Sequence, residues 1–205
     1  MKITDFEQGS EEWLNARIGV ITGTRLKQVL GTQSKNLLYE LIAECLAPST
    51  EMGMSEAMER GSLYESDARM LYESTTGYDI ETVGLCIHDE YDWLGSSPDG
   101  LYKENNKYVG AIEIKCPNTK THIEYLVEKK IPSEYKAQVL QYFIVNDDLE
   151  WLDFVSYDPR IQLPEMQMSI VRVYRTDISE ELDAAMVKLL AFRDKWNKLQ
   201  DQYIF

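Results

Sequence analysis

Two acidic residues and a lysine in the middle of the chain have the types and spacing needed for metal-assisted hydrolysis of a phosphodiester. The segment Ser97-Pro98-Asp99-Gly100 is followed, fourteen positions after its aspartate, by Glu113-Ile114-Lys115. Because side chains alternate along a strand, Glu113 and Lys115 are expected to share one face. Two carboxylates can bind a hard cation, and a lysine beside them can act on the attacking water.

A hairpin between the two segments would bring the acidic residues together. Asn105 and Asn106 lie in a polar stretch between them and favour a tight turn. Such a turn would put Pro98 or Asp99 opposite Glu113, and cross-strand neighbours lie ~5 Å apart. Taken alone, Pro-Asp-Gly is a common turn and Glu-x-Lys is usually a solvated strand face. Glu113, however, lies in an otherwise apolar strand. Because a glutamate is costly to bury without a partner or metal, this setting favours a functional site.

Composition indicates a single domain over residues 1–205, since the length suits one core and no linker or repeat divides it. No apolar run is long enough to cross a bilayer and no secretory signal is evident, so we expect a cytoplasmic protein without membrane contact. Cys45, Cys86 and Cys116 are scattered and odd in number, which argues against disulfides or a zinc site. His88 and His122 are isolated, so no arrangement for covalent catalysis is indicated.

The charge is unusual for a protein that acts on nucleic acid. There are 21 Lys and Arg against 35 Asp and Glu, and the formal net charge is −14. DNA-binding surfaces are normally basic, so binding to DNA cannot be argued from bulk charge. An acidic exterior is compatible with DNA only if the basic residues line a channel and the carboxylates face outward or hold metal.

Helical and strand patterns around the motifs predict an α/β fold in which helices flank a central mixed β-sheet. We expect helices capped at Ser10 and Ser133, one that opens at Thr22-Gly23-Thr24, others over 34–46 and 56–74, and a long C-terminal helix after a capping box at Asp177. The C-terminal helix carries an apolar stripe typical of core or subunit packing. The expected strands cover 82–87, 93–96, 101–103, 108–115, 149–157 and 166–174.

Six short motifs, in order, resemble the lambda-exonuclease-like or YqaJ-like viral recombinase family of the PD-(D/E)xK nuclease superfamily. They are RIGVIT at 17–22, YESDAR at 64–69, SPDG at 97–100, EIKCP at 113–117, AQV at 137–139 and YDPR at 157–160. The resemblance implies a restriction-endonuclease-like core and a Mg²⁺-dependent exonuclease that digests one strand of double-stranded DNA from 5′-phosphorylated ends, 5′ to 3′. It further implies a homotrimeric ring around DNA that feeds a single-strand annealing protein in recombination.

The same resemblance implies roles for individual residues. Asp99 and Glu113 would bind Mg²⁺, with Mn²⁺ as an alternative, helped by the Ile114 carbonyl, while Lys115 would orient or deprotonate the attacking water. Glu65 would support a second cation, although by itself it looks like an exposed partner of Arg69.

Further roles follow from the remaining motifs. Gln138, in its Ala-Gln-Val setting, corresponds to a catalytic residue of the family. Arg17, Thr24 and Ser97 correspond to the family's pocket for the terminal 5′-phosphate. Gln141 lies three residues after Gln138, where the family often shows two, so its role stays open.

Two other functions remain possible from the sequence. A PD-(D/E)xK endonuclease or junction resolvase would use the same carboxylates and lysine, but it would also cut closed circular DNA. A non-enzymatic acidic DNA mimic or end-binding module fits the net charge. That class of protein gives no reason for the ordered set of Asp99, Glu113 and Lys115.

Overall fold

The computed structural model describes residues 1–46 and 56–203, with side chains described at 1–46 and 63–202. Over these ranges the chain forms seven α-helices and eight β-strands. The helices are α1 (Glu11–Ala16), α2 (Gly23–Leu30), α3 (Ser34–Leu46), α4 (Glu56–Thr76), α5 (Thr119–Glu128), α6 (Lys136–Val145) and α7 (Ser179–Tyr203). The strands are β1 (Lys2–Ile3), β2 (Ile80–Glu81), β3 (Cys86–Ile87), β4 (Gly95–Ser96), β5 (Gly100–Glu104), β6 (Lys107–Lys115), β7 (Trp151–Tyr157) and β8 (Met168–Tyr174).

A five-stranded mixed sheet, in the order β2-β5-β6-β7-β8, lies at the centre of the fold. Strands β6 and β7 are parallel, and the other neighbours are antiparallel. Helices α5 and α6 connect β6 to β7, since a parallel pair requires a long crossover. Strands β1, β3 and β4 form a separate antiparallel sheet. The predicted α/β fold with a central mixed sheet is confirmed.

The two faces of the central sheet pack against different helices. On one face Ile112, Ile114 and Val155 pack with Ala68 and Tyr72 of α4. The other face belongs to the larger core, which contains residues of β5, β6 and β7 together with α2, α3, α6 and α7. The alternation along β6 therefore turns its odd-numbered residues toward the face that α6 covers.

The apolar stripe of α7 packs into the larger core. Leu182, Ala185, Leu189, Phe192 and Trp196 are all buried there. The predicted packing role of this stripe is confirmed for core formation. None of the helices in the described part of the chain is long and apolar enough to span a membrane.

The single strand expected over 82–87 is wrong. Within this range the structure has the two-residue strand β3 of the smaller sheet, while β2 of the central sheet ends at Glu81, before the range begins. The N-terminal segment causes the break, because Thr4 donates its N–H to the Leu85 carbonyl (2.9 Å) and accepts the Leu85 N–H at its hydroxyl (3.0 Å). Gly84 makes this approach possible, since a Cβ there would lie 2.6 Å from the Thr4 carbonyl oxygen.

Two predicted caps are wrong as well, while the cap at Ser10 is confirmed, and so is a helix that opens at Thr22-Gly23-Thr24, since α2 begins at Gly23. Ser133 does not cap α6; it lies in a turn in which Tyr135 donates its N–H to the Pro132 carbonyl, and the helix begins at Lys136. Asp177 does not cap α7 either; its carboxylate accepts the N–H of Tyr174 in a 3₁₀ turn that precedes this helix. Helix α5, capped by Asn118, was not predicted.

Candidate active site

Strands β5 and β6 form the hairpin that the sequence predicts. Asn105 and Asn106 have φ values of 48° and 65°, the left-handed conformation that a two-residue hairpin turn requires. The ladder pairs Gly100 with Ile112. Asp99 is the next residue beyond this pair, so it lies beside the end of β6 that carries the glutamate and the lysine.

Glu113 is the centre of a buried hydrogen-bond cluster. Its side chain is 1% exposed, and its Oε1 accepts hydrogen bonds from Lys115 Nζ and from Gln138 Nε2 (2.7 Å). The Tyr142 hydroxyl donates to Oε2. Asp99 is fixed separately, because its Oδ2 accepts the backbone N–H of Ile114 at 2.6 Å. The structure thus brings the predicted Asp99, Glu113, Lys115 and Gln138 together.

Asp99 and Glu65 hold protons more tightly than free carboxylates. Burial, followed by repulsion from Glu113, raises the pKa of Asp99 well above its usual range. Burial also raises the pKa of Glu65, against the attraction of Arg69 and Lys115. A positive charge close to these carboxylates would stabilise their ionised form.

Lys115 supplies part of that positive charge. Burial alone would lower its pKa, but attraction to Glu113 and Asp99 outweighs burial, and the pKa is raised above its usual value. The ammonium therefore stays protonated at neutral pH and acts as a donor. The hydrogen bond from Nζ to Glu113 Oε1 is compatible with the orienting role expected for Lys115.

The cluster fits a hard divalent cation. Asp99 and Glu113 offer carboxylate oxygens, and the Ile114 carbonyl lies between the glutamate and the lysine in sequence. Among the described residues, no group of three or more His, Cys, Asp and Glu side chains is close enough to hold an ion. A cation held by two carboxylates keeps positions for water and a substrate oxygen, as Mg²⁺ prefers.

Glu65 lies on α4 next to this cluster. Its Oε1 is 3.6 Å from an Arg69 nitrogen, so the pairing that the residues alone indicate is present. The pKa of Glu65 also responds to Lys115 and Glu113, which means that its carboxylate is close enough to contribute to the same field.

A cavity of ≈ 60 Å³ contains the three residues expected to bind a terminal phosphate. Helix α2 begins at this cavity, so its first backbone N–H groups add a favourable setting for an anion. The cavity is lined by Arg17, Thr22, Gly23, Thr24, Ser96 and Ser97 and, from α6, by Gln138, Gln141 and Tyr142.

Arg17 is the principal cation of this cavity. Its guanidinium donates to the hydroxyls of Ser97 and Thr22, both at 3.4 Å, and stacks on the Trp13 ring at 4.0 Å. The Trp13 indole N–H donates to the same Ser97 hydroxyl at 3.1 Å. Burial, then repulsion from Arg25, lowers the pKa of Arg17 to about 10. The guanidinium is still charged at neutral pH, and in the described residues it has no carboxylate partner.

The cavity and the carboxylate cluster are neighbours that share two side chains of α6. Gln138 and Tyr142 line the cavity and also donate to Glu113. The Tyr142 hydroxyl lies 3.3 Å from the Ser97 carbonyl oxygen, on the cavity side. Gln138 further donates to the Tyr142 hydroxyl at 3.1 Å. A group bound in the cavity would therefore be separated from Glu113 by the side chains of Gln138 and Tyr142.

Three polar residues in these sites were not assigned from the sequence. Tyr142 could have been found from its position four residues after Gln138, which places both on one helix face. Trp13 and Thr22 gave no signal of their own, because their contacts with Ser97 and Arg17 depend on how distant segments pack.

The comparisons with known proteins identify relatives of the chain. The YqaJ-like viral recombinase domain family matches residues 12–148. An alkaline exonuclease from Laribacter hongkongensis, LHK-Exo, is 34% identical and superposes with a TM-score of 0.78, over 94% of this chain and 97% of the solved chain. The same figures hold for LHK-Exo in complex with dAMP.

Two more distant similarities extend this result. A phage-related exonuclease from Haemophilus somnus is 14% identical and has a TM-score of 0.70 over 89% of this chain and 96% of its own, which supports the shared fold. An uncharacterized protein of Acanthamoeba polyphaga mimivirus is 28% identical over 124 residues. That match covers 57% of this chain but 22% of the viral protein, so the chain spans about a fifth of that relative.

Proposed function

The chain belongs to the YqaJ-like viral recombinase domain family, and on that premise we propose that it is a metal-dependent exonuclease that digests one strand of linear duplex DNA from the 5′ end. Its similarity to an alkaline exonuclease over nearly its whole length supports a nuclease. The observation that carries the finer proposal is the pairing of an acidic cluster with a cationic cavity through Gln138 and Tyr142.

The acidic cluster is where we place bond cleavage. Asp99 and Glu113, with the Ile114 carbonyl, would hold a Mg²⁺ or Mn²⁺ ion, and Glu65 would support a second one. A bound divalent ion supplies polarisation of the phosphodiester and a more acidic water. Lys115, kept protonated by its carboxylate neighbours, orients that water and stabilises charge on the phosphate. Gln138 holds Glu113 in place.

The cationic cavity is where we place the DNA end. A terminal phosphomonoester carries up to two negative charges, and the Arg17 fork, the Thr24 and Ser97 hydroxyls and the first N–H groups of α2 suit it. Holding that phosphate beside the acidic cluster positions the next phosphodiester for cleavage. This arrangement supports digestion in the direction 5′ to 3′ with release of mononucleotides. LHK-Exo has been crystallised in complex with dAMP, one such mononucleotide.

The wider role follows from the family. We place the protein, as a single nuclease domain over 1–205, in recombination, where the 3′ single strand that it leaves is passed to an annealing protein. A homotrimeric ring reconciles this role with the net charge of −14, because a ring can confine its basic residues to the bore. Light scattering under active conditions tests the ring, and a stable monomer would contradict it.

Metal dependence and polarity are tested together with linear duplexes labelled at either the 5′ or the 3′ end. We expect the 5′ label to be released early and the 3′ label late in Mg²⁺, with no release in EDTA. Asp99→Asn and Lys115→Ala should each reduce the rate by several orders of magnitude. Lys107→Ala is the matched control, because Lys107 lies on the same strand but is 62% exposed.

Three results would decide against the proposal. Cleavage of closed circular DNA at a comparable rate would favour an endonuclease or resolvase. Release of the 3′ label first would reverse the polarity. Full biochemical activity in Asp99→Asn and Lys115→Ala would favour an end-binding module or a DNA mimic.

A further inference from the structure

Gln141 is a fully buried glutamine whose amide joins two separate segments of the chain. It lies on α6 and is 0% exposed. Its Nε2 donates to the Ile21 carbonyl at 2.8 Å and to the Gly95 carbonyl at 3.0 Å. These acceptors lie 120 and 46 residues away along the chain. One side chain therefore connects three elements that are remote in sequence.

The two carbonyls belong to the two sides of the cationic cavity. Ile21 directly precedes Thr22, the N-cap of α2, and Gly95 directly precedes the serines at 96 and 97. The segments run side by side, with a parallel bridge between Ile21 and Leu94 and a hydrogen bond from the Gly95 N–H to the Ile21 carbonyl (3.1 Å). Gln141 itself lines the cavity. It thus lies where the two sides meet.

The orientation of this amide is set by its two acceptors. Both targets are carbonyl oxygens, which can only accept, so the NH₂ group must face them. The Oε1 atom is buried and has no hydrogen-bond partner among the described residues. The polar contacts of the Gln141 side chain with the described residues are thus the two that tie α6 to both sides of the cavity.

From this geometry we infer that Gln141 is a positioning residue for recognition of the DNA end. By donating from α6 to both carbonyls, it reinforces the backbone hydrogen bonds between these segments and fixes the start of α2, with Thr24, and the segment with Ser97 relative to α6. A phosphomonoester needs both sides at once, because its oxygens are spread over a tetrahedron. This inference rests on the proposed function of the cavity.

The inference is tested with Gln141→Met, which keeps the length of the side chain but removes both donors. Initial rates are measured on duplexes with a 5′-phosphate or a 5′-hydroxyl. We expect the ratio of the two kcat/KM values to fall by about ten-fold, the effect of losing two neutral hydrogen bonds. The loss should appear mainly as a higher KM for phosphorylated ends. An unchanged ratio, or an equal loss on both ends, would overturn the inference.

Gln28→Met is the matched control. Gln28 lies on α2, carries a buried Oε1 without a partner in the described residues, and is not among the residues that line the cavity. The same substitution there should leave the ratio at the wild-type value. A fall in this control as large as that in Gln141→Met would mean that the ratio responds to general loosening of α2, and the inference would be rejected.

A second variant covers the case in which Gln141→Met does not fold, as judged by circular dichroism. Gln141→Asn is polar and smaller, but its shorter side chain cannot reach both carbonyls, so the same fall in the ratio is expected.

Measurements on the wild type and on Arg17→Ala distinguish failure of the cavity assignment from failure of the inference about Gln141. If the wild type has no preference for 5′-phosphate, the cavity assignment and the inference both fail. If Arg17→Ala removes the preference but neither Gln141 variant lowers it, only the inference about Gln141 fails.

Discussion

Replacing Arg17 with alanine should remove most of the preference for 5′-phosphorylated ends. Among the described residues the guanidinium stacks on the Trp13 ring and makes long hydrogen bonds of 3.4 Å to two hydroxyls, and burial together with Arg25 lowers its pKa to about 10. A terminal phosphate would supply the missing negative charge. A charge-assisted pair of this kind contributes ~1.5–3 kcal/mol, or about ten- to a hundred-fold in a rate or equilibrium constant.

The assay compares initial rates on otherwise identical duplexes that end in a 5′-phosphate or a 5′-hydroxyl. We expect Arg17→Ala to slow the phosphorylated substrate by the factor above and the hydroxyl substrate much less. Arg17→Lys keeps a charge but loses the planar fork, so an intermediate preference is expected.

The control for this prediction is Lys27→Ala, which removes one exposed positive charge from α2 without touching the cavity. This variant should keep the wild-type preference. If Arg17→Ala slows both substrates equally, Arg17 is a general backbone contact or a structural residue. If Lys27→Ala causes a similar loss of preference, the effect comes from long-range charge, and a specific pocket is refuted.

Three further substitutions test the site and the fold. Tyr142→Phe removes the hydroxyl that donates to Glu113, so the single-turnover rate should fall about ten-fold or more while duplex affinity, measured by anisotropy in EDTA, stays the same; equal losses would contradict this role. Burial would raise the pKa of Asp158, but hydrogen bonds from Arg160 outweigh burial and lower this pKa to about 2. Asp158→Asn should therefore lower the free energy of unfolding by about 2 kcal/mol at pH 7. Since the folded-state pKa lies below the unfolded one, this stability is present above about pH 4 and is lost as the pH falls toward 2; urea curves that differ equally at pH 7 and pH 2 would refute it. Leu189→Ala should cost ~2–5 kcal/mol in urea denaturation, whereas Val187→Ala, on the exposed face of the same helix, should change stability by less than ~0.5 kcal/mol, and similar costs would mean that the face is wrongly assigned.

The part of the site that could be predicted from sequence is the part built by local geometry. A two-residue turn and the alternation of a strand were enough to predict that Asp99, Glu113 and Lys115 lie together. The contacts of α6 with Glu113 depend on the crossover that returns the chain to the sheet. Sequence spacing puts Gln138 and Tyr142 on one helix face but does not specify that this face meets β6, so their hydrogen bonds to Glu113 appear only in the folded structure.

Buried polar residues were the hardest features to predict. His122 is a polar residue in a charged stretch, yet it is 0% exposed, with one ring nitrogen 2.7 Å from the Ser156 hydroxyl and the other 2.9 Å from the Met166 carbonyl oxygen. Both partners come from more than thirty residues downstream. The same reason explains why α5 was missed, because its burial depends on packing against later strands rather than on its own apolar pattern.

Two helices next to the cationic cavity, α6 and α1, differ in how deeply they are buried in the fold. Helix α6 is buried at seven of its ten positions, whereas the six-residue helix α1, which leads into Arg17, has no buried residue. Amide hydrogens of α6 should therefore exchange with solvent only through global unfolding, and those of α1 through brief local opening. If the cavity takes the DNA end as proposed, the wall formed by α6 is fixed by the core before DNA arrives, whereas α1, next to Arg17 in sequence, can open locally without disturbing Asp99 or Glu113.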